Sequence, residues 1–346
     1  MKTIYKKHLI GLSFIICHLS FSVVLTSCSD FLDEHTPQGT LSDEQVKSPE
    51  NAENMVISAY AIFTSAEDIN SSFSMWNFDV RSDDAYKGGS GTSDGDVFHQ
   101  LEIQKGVLTT NWNINDMWVR LYNCISRVNS AIALLNSCDD SFTMKQQRLA
   151  EMKFLRAYGH FLLKRLYKNI PFVIDPNLNY EEYNTLSNRT YTNDEGWQVI
   201  IDDLMEAYNT LPATQAEKGR PTKASVAAFL SKVYLYKAYR QDDATTNQVT
   251  SINADDLQKV IEFTNPSLYT NYGLENDIHN NFRPEEQYEN GKESLWAIQY
   301  SKNDGTTYGN LNFSNRLIVP CIPKVHYSGC DFYKPSHNLV NAYRTN

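Results

Sequence analysis

The chain has 346 residues, of which 41% are hydrophobic and 12% aromatic, so it is long enough and apolar enough to bury a substantial core. Its formal charge of −10 argues against a nucleic-acid partner and against charge-driven adhesion to anionic lipids. After the first 27 residues, no segment reaches the roughly 18 consecutive apolar residues of a membrane-spanning helix.

The N-terminus has the pattern of a bacterial lipoprotein signal. Three lysines within the first seven residues precede an apolar segment, residues 9–25, and the sequence Leu-Thr-Ser-Cys ends at Cys28. In such signals residues 1–27 are removed and the Cys28 thiol carries the lipid, each buried methylene contributing about 0.8 kcal/mol to membrane binding. An uncleaved anchor, or an ordinary signal with a chance cysteine, is the alternative. Because the leader holds three lysines and no acid, its removal leaves 319 residues with a charge of −13.

Helical signals dominate after a predicted extended tether, residues 28–47. Each predicted helix starts at a residue that favours the N-cap, or directly after one, and is followed by apolar residues at helical spacing. The starts are Ser48, Asn111, Thr143, Thr192, Thr222 and Asn253. Thr143 with Gln146, and Thr192 with Glu195, have the spacing of a capping box. The clearest apolar stripe is Trp118, Leu121, Tyr122, Ile125, Val128, Ile132 and Leu135.

The spacing of the last three caps indicates a repeat. Thr192, Thr222 and Asn253 lie about 30 residues apart with one helix per step. A tetratricopeptide repeat places two helices in about 34 residues, so the pattern corresponds to a stretched version with long connections. We therefore predict a mainly α fold, with helical hairpins stacked as in a tetratricopeptide solenoid over residues 48–265. An irregular helical bundle is the alternative.

Two regions lack the helical pattern. Residues 70–110 are rich in Asp, Ser and Gly and are predicted to form a long irregular loop, a kind of segment that is usually functional or mobile. Residues 266–346 are predicted to start a loop-rich part, with one strand at residues 294–300. The chain ends soon after an apolar run at residues 339–343, so we expect this part to be incomplete.

The cysteines give little indication of chemistry. If Cys124 and Cys138 share a helix, they are about 21 Å apart and cannot be bridged. Cys321 and Cys330 could form a disulfide in an exported protein. Zinc binding together with His326 is the alternative, but no fourth ligand is evident. No metal site and no cofactor are predicted.

Motifs along the whole mature chain resemble the SusD/RagB family of outer-membrane nutrient-binding lipoproteins. They are CSDFLD at 28–33, DVRSDD at 79–84, WVRLY at 118–122, EMKFLRAY at 151–158, GRPTKA at 219–224 and ESLWAIQY at 293–300. The resemblance implies a tetratricopeptide-like scaffold, a lipid-anchored position on the outer face of the outer membrane, and docking on a SusC-like TonB-dependent transporter. It also implies an oligosaccharide ligand or, as in RagB-type members, a peptide.

Ligand contacts cannot be carried over from the family, because its binding residues vary. Sugars stack on flat rings and hydrogen-bond to charged side chains, so exposed aromatic residues beside polar groups are the candidates. In the loop they are Trp76, Arg81, Asp84 and Tyr86. Further along the chain they are Trp296, Tyr300 and Tyr308, although Trp296 could equally belong to the core.

Three classes of function are compatible with the helices: a binding protein, a glycoside hydrolase and a structural adaptor. The pairs Asp83-Asp84 and Glu285-Glu286 do not indicate a hydrolase, because glycosidase carboxylates stand about 5–10 Å apart across the substrate. No Gly-x-Ser-x-Gly or His-Glu-x-x-His motif occurs. We therefore expect a non-catalytic binding protein.

Overall fold

A computed structural model describes residues 43–64, 79–243, 247–300 and 329–343. Of the predicted site residues, Cys28, Trp76 and Tyr308 lie outside these ranges, as does Cys321. The chain divides into two compact units, Met1–Ser48 and Pro49–Asn346.

The described part of the first unit contains one short helix, α1 (Asp43–Val46). The backbone N–H of Ser48 donates to the carbonyl of Gln45 at 3.1 Å and closes a turn. The prediction of an extended tether over residues 28–47 is therefore wrong for these four residues, because local hydrogen bonds coil them.

The second unit is mainly α-helical, as predicted. Its described helices are α2 (Pro49–Ala61), α3 (Asp96–Glu102), α4 (Trp112–Ser137), α5 (Lys145–Tyr167), α6 (Tyr180–Thr185), α7 (Asn193–Thr210), α8 (Lys223–Ala238), α9 (Ala254–Phe263) and α10 (His337–Ala342). Its described strands are β1 (Ala85–Gly88), β2 (Tyr239–Gln241), β3 (Val249–Ile252) and β4 (Phe332–Pro335). Short 3₁₀ helices occupy Pro266–Tyr269, Ile278–Phe282 and Glu286–Tyr288.

The long helices pack in chain order. Helix α2 lies on α4, α4 on α5, α5 on α7, α7 on α8 and α8 on α9. This succession is the arrangement of stacked helical hairpins rather than of an irregular bundle. The predicted stripe of α4 faces the core, with Leu121, Ile125 and Val128 fully buried. None of the described helices has the length and apolar character needed to cross a membrane.

Most predicted helix starts are confirmed by the caps. The Asn111 side chain accepts hydrogen bonds from the first turn of α4, and the capping box of Thr192 with Glu195 opens α7. Thr222 and Asn253 likewise cap α8 and α9. The predicted capping box at Thr143 is wrong. The Lys145 N–H donates to the Phe142 carbonyl, so residues 142–145 form a turn before the helix. Met144, not Thr143, is the N-cap, and α5 begins at Lys145, one residue later than the predicted box implies.

The predicted loop at residues 70–110 is wrong for residues 85–88 and 96–102, which form β1 and α3, whereas most of the other described residues of this range are turns and irregular chain. Strand β1 pairs antiparallel with β4, with Tyr86 opposite Lys334, and α3 packs beside them. Val97, Phe98 and Leu101 lie on one face of α3, and they are buried with Val80 and Phe332 in a small apolar cluster separate from the main core. That apolar face, within a polar stretch, is what makes the segment fold.

The strand predicted at residues 294–300 is not formed in the described chain. The Ser225 hydroxyl donates to the Leu295 carbonyl at 2.6 Å, and the Trp296 indole N–H donates to the Gly219 carbonyl at 2.8 Å. Trp296 and Ile298 pack against the helical core. Hydrogen bonds to a side chain and to a loop carbonyl thus hold this segment, and no neighbouring strand pairs with it in the described chain.

Candidate functional site

The small apolar cluster carries the described residues of the predicted loop site. Arg81 and Asp84 are exposed just before β1, and Tyr86 lies within it. The Asp84 carbonyl accepts a hydrogen bond from the Ser336 N–H at 2.8 Å. The surface that bears these residues is therefore tied to a segment about 250 positions later in the sequence.

Strand β1 directs Tyr86 towards solvent. Successive side chains of a strand point to opposite faces, and here Ala85 and Lys87 are buried whereas Tyr86 is 42% exposed. The ring of His337 meets the Tyr86 ring edge-on, with centroids 6.3 Å apart. Tyr86 is thus an exposed aromatic ring on a paired strand.

A buried lysine fixes the loop that follows β1. The Lys87 ammonium group donates to the carbonyls of Gly88, Gly91 and Asp94 at 2.8, 2.8 and 2.5 Å. Gly88 has φ +73°, and a Cβ there would lie 2.4 Å from the Asp331 carbonyl oxygen, so only glycine fits. Burial lowers the pKa of Lys87. The glycine-rich sequence therefore encloses a cation of the chain itself, and the loop is held against the strand that carries Tyr86.

A cavity of about 420 Å³ opens beside Arg81; we call it the Arg81 cavity. Its walls are Arg81, Leu101, Gln104, Val107, Ile114, Leu166 and Tyr167. The Tyr167 hydroxyl donates to the Ile114 carbonyl at 2.6 Å, which fixes the ring. Burial raises the pKa of Tyr167 above its usual range, and the positive charge of Arg81 acts in the opposite direction. The cavity combines an apolar floor with polar groups.

Trp296 and Tyr300 lie in a different environment. The Trp296 ring packs edge-on against Phe154 and Tyr158, with centroids 4.9 and 5.3 Å apart. It borders a cleft of about 260 Å³ whose walls include Tyr60, Lys218, Arg220 and Gln299. Tyr300 is half-buried, and burial raises its pKa to about 12. Trp296 is therefore largely a packing residue, and its role as a ligand contact stays a prediction.

The structure does not bring Arg81 and Trp296, from the two predicted groups of site residues, into one cavity. Trp296 contacts α5 at Phe154 and Tyr158, whereas the Arg81 cavity is lined by Leu166 and Tyr167 near the end of α5. Nine residues of helix separate Tyr158 from Tyr167, which corresponds to about 13 Å.

A network of charged groups lies beside the Trp296 cleft. The Glu151 carboxylate, fully buried, accepts from Arg148 Nη1 and Arg220 Nη1 at 2.7 Å each and from the Tyr60 hydroxyl at 2.9 Å. Glu53 accepts from the same two arginines at 2.8 and 2.7 Å. The network joins α2, α5 and the loop before α8. Its carboxylates and guanidinium groups bond to one another, so its role is structural.

Sequence reasoning missed Gln104, Tyr167 and Lys87. Gln104 is the second residue after α3, so recognising the apolar spacing of Val97, Phe98 and Leu101 would have placed it at a helix end. Cys124 and Cys138 are both buried and are not bonded to each other. Cys124 lies within α4, and Cys138 directly follows the last residue of that helix. In the described ranges, no group of three or more His, Cys, Asp and Glu side chains could hold a metal ion. The predicted pairing of Cys321 with Cys330, and its zinc alternative, lie partly outside those ranges.

Comparison with protein families gives one match over most of the helical part. The profile of a SusD-like family, described as starch-binding and associating with the outer membrane, matches residues 30–235.

Comparison with curated proteins agrees. "SusD-like protein P2" of Formosa agariphila is 28% identical over 228 residues, which cover 65% of this chain and 43% of that protein. A "SusD-like protein" of Bacteroides ovatus is 24% identical over 244 residues, covering 68% of this chain and 42% of that protein. The chain thus spans less than half the length of these two relatives.

Solved structures share the fold. A "laminarin binding SusD-like protein" superposes with a TM-score of 0.63 at 20% identity, covering 85% of this chain and 64% of that one. "Surface glycan-binding protein A" from Bacteroides thetaiotaomicron superposes with a TM-score of 0.64 at 18% identity, covering 86% and 61%. At such identities the similarity concerns the fold alone.

Proposed function

The chain belongs to the SusD-like family, and on that premise we propose that it binds an oligosaccharide at the cell surface without chemically changing it. Two proteins of the same fold are described as a laminarin-binding protein and as a surface glycan-binding protein, which supports this choice of ligand. We further propose that it hands the ligand to a SusC-like TonB-dependent transporter, with Cys28 as the lipid anchor in the outer membrane. In this proposal residues 28–47 are the tether, 48–265 the helical scaffold and 266–346 the start of the loop-rich ligand-binding part.

The presentation of Tyr86 carries the proposal. Its ring is 42% exposed, on a strand held by β4 on one side and followed by the loop that Lys87 fixes. An exposed ring on a backbone that is already held in place offers a stacking face for a sugar at a low entropic cost. Arg81, five residues earlier, offers charge-assisted donors for sugar hydroxyls. A binding function needs such a surface, whereas a hydrolase would need two separated carboxylates across the substrate.

Replacing Tyr86 with alanine is expected to weaken glycan binding about tenfold or more, because an aromatic hot spot typically contributes about 1–3 kcal/mol. Titration calorimetry against the best ligand of a glycan and peptide panel measures the change. Tyr180→Ala is the matched control, since that tyrosine is 82% exposed on α6, and its affinity should stay that of the wild type. Unchanged affinity in Tyr86→Ala would exclude the Tyr86 ring as a ligand contact and leave the Arg81 cavity and the Trp296 cleft as the candidates. A preference for peptides in the panel would favour the RagB-type alternative.

Replacing Cys28 with alanine is expected to release the protein from the membrane fraction, because the acyl chains, at about 0.8 kcal/mol per buried methylene, are its proposed attachment. Fractionation and labelling with palmitate provide the measurement. Cys17→Ala, a change within the predicted leader, should leave the protein membrane-bound and labelled. If Cys28→Ala also sediments with membranes and incorporates palmitate, the proposed anchor is wrong.

A further inference from the structure

Arg81 has no acidic partner in the part of the chain that the structure describes. By contrast, Arg148, Arg156 and Arg220 are each bonded to carboxylates at 2.7–2.8 Å. A guanidinium group presents five donors in a planar fork that matches a carboxylate or a sulfate group. Arg81, exposed on the wall of its cavity, therefore has donors to offer an anion from outside the chain.

The walls of the Arg81 cavity suit a sugar ring. Leu101, Ile114 and Leu166 supply apolar surface, and the fixed ring of Tyr167 lies beside them. The volume of about 420 Å³ falls in the range of small-molecule sites, roughly 300–1,000 Å³. A pyranose ring has C–H faces for the apolar surface and polar substituents at its edge. A substituent that carries a negative charge would match Arg81.

Gln104 has an unusual backbone conformation at the same cavity. Its φ is +52°, and it is the second residue after α3. The next residue, Lys105, donates its backbone N–H to the Gln100 carbonyl at 3.1 Å and closes the helix end. In this type of helix end the position of Gln104 is usually occupied by glycine. The Gln104 side-chain amide donates to the Arg81 carbonyl at 3.3 Å. Residues in such strained backbone conformations are often found at binding sites. The hydrogen bond from Gln104 restrains the backbone of Arg81 at the edge of the cavity.

Among the residues that the structure describes, no acidic side chain lines the Arg81 cavity. The Asp79 carboxylate accepts a hydrogen bond from the Tyr333 hydroxyl. Asp83 and Asp84 are exposed and line no part of the cavity. The chain as a whole carries −10, but charges of exposed groups are screened beyond about 8 Å at physiological salt. The local cation therefore decides which ligand group fits.

From these observations we propose that the Arg81 cavity binds an acidic sugar residue, with its carboxylate or sulfate group on Arg81 and its ring on the apolar walls. This inference rests on the proposed glycan-binding function and specifies the class of glycan. The shared chemistry is a sugar ring with one fixed negative charge, supplied by a uronic acid or by a sulfate ester.

Matched pairs of oligosaccharides test the charge. We would titrate the full-length protein with oligogalacturonate and its methyl ester, and with a sulfated galactan oligosaccharide and its desulfated form. The acidic member of one pair is expected to bind at least about tenfold more tightly than its neutral counterpart, since charge-assisted hydrogen bonds are about twice as strong as neutral ones. The pair that shows the preference identifies the carboxylate or the sulfate as the anionic group.

Two variants locate the charge contact. Arg81→Gln should abolish the preference, so that the acidic and neutral members of a pair bind this variant with similar affinity, and Arg81→Lys should retain part of the preference. Arg127→Gln is the control: this arginine is exposed on α4, thirteen residues or about 20 Å along the helix from Ile114, and the preference should persist.

The outcomes separate this inference from the proposed function. Equal binding of acidic and neutral members, or a preference that survives in Arg81→Gln, would overturn the acidic-sugar inference and leave glycan binding intact. Failure to bind any glycan in the wider panel would overturn both.

Discussion

Replacing Glu151 with alanine is expected to lower the free energy of unfolding by about 3–5 kcal/mol, the usual cost of removing one partner from a buried ionic network. The Glu151 carboxylate is fully buried and accepts from Arg148, Arg220 and Tyr60. Without it, two guanidinium groups and a hydroxyl lose a buried acceptor. The partly exposed Glu53 remains bound to both arginines, so we expect partial compensation and a loss near the lower bound.

Urea unfolding followed by circular dichroism measures this loss. Glu206→Ala is the matched control, because Glu206 pairs with Lys153 at the surface and its side chain is 62% exposed. An exposed pair contributes about 1 kcal/mol or less, so this variant should remain close to the wild type. If Glu151→Ala were as stable as Glu206→Ala, the network would not hold α2, α5 and the loop before α8 together.

Local signals in the sequence predicted the scaffold well. The stripe of Leu121, Ile125 and Val128 repeats within a few residues, and capping by Asn111 or Thr192 depends on the next three positions. Signals that extend over only a few neighbouring residues can be recognised directly in the sequence. The pairing of Glu151 with Arg220 cannot, since 69 residues separate them. Only the family resemblance singled out the two motifs that contain these residues.

The errors in the predicted fold have the same origin. Residues 70–110 looked irregular because their polar composition hid the short apolar face of α3, and because the partner of β1 comes from residues 332–335. Conversely, the alternation of Trp296, Ile298 and Tyr300 predicted a strand, yet alternation alone supplies no neighbouring strand. In both cases a partner distant in the sequence decided the structure.

The candidate site was predictable only in part. Arg81 and Tyr86 were identifiable by residue type within a polar stretch. The cavity beside Arg81, however, is assembled from the chain before β1, the end of α3, the start of α4 and the end of α5. Gln104 and Tyr167 belong to it because of tertiary packing, which periodicity does not report.

His160 makes the scaffold sensitive to acid. The side chain is 1% exposed, and its Nε2 accepts a hydrogen bond from the Val173 N–H at 3.2 Å, a role that requires the neutral imidazole. Burial, with a smaller contribution from the positive charge of Arg156, lowers the pKa from 6.5 to about 3. In the unfolded chain His160 takes up its proton near pH 6.5, whereas in the folded chain it stays neutral until about pH 3. Unfolding therefore binds a proton in this window, and the free energy of unfolding falls as the pH decreases through it.

The His160→Gln variant is expected to remove this part of the acid sensitivity. Glutamine keeps a carbonyl oxygen for the Val173 N–H and does not titrate. Between about pH 6.5 and 4.5 the wild type should lose about 2–3 kcal/mol more than the variant, at about 1.36 kcal/mol per pH unit, because carboxylates that start to protonate at the acidic end of this range do so in both proteins. Urea unfolding at several pH values measures both slopes, and His279→Gln, at a side chain that is 80% exposed, should retain most of the wild-type slope. Parallel slopes for wild type and His160→Gln would mean that the buried imidazole accepts a proton in the folded chain, and that the contact between α5 and Val173 adapts to the charge.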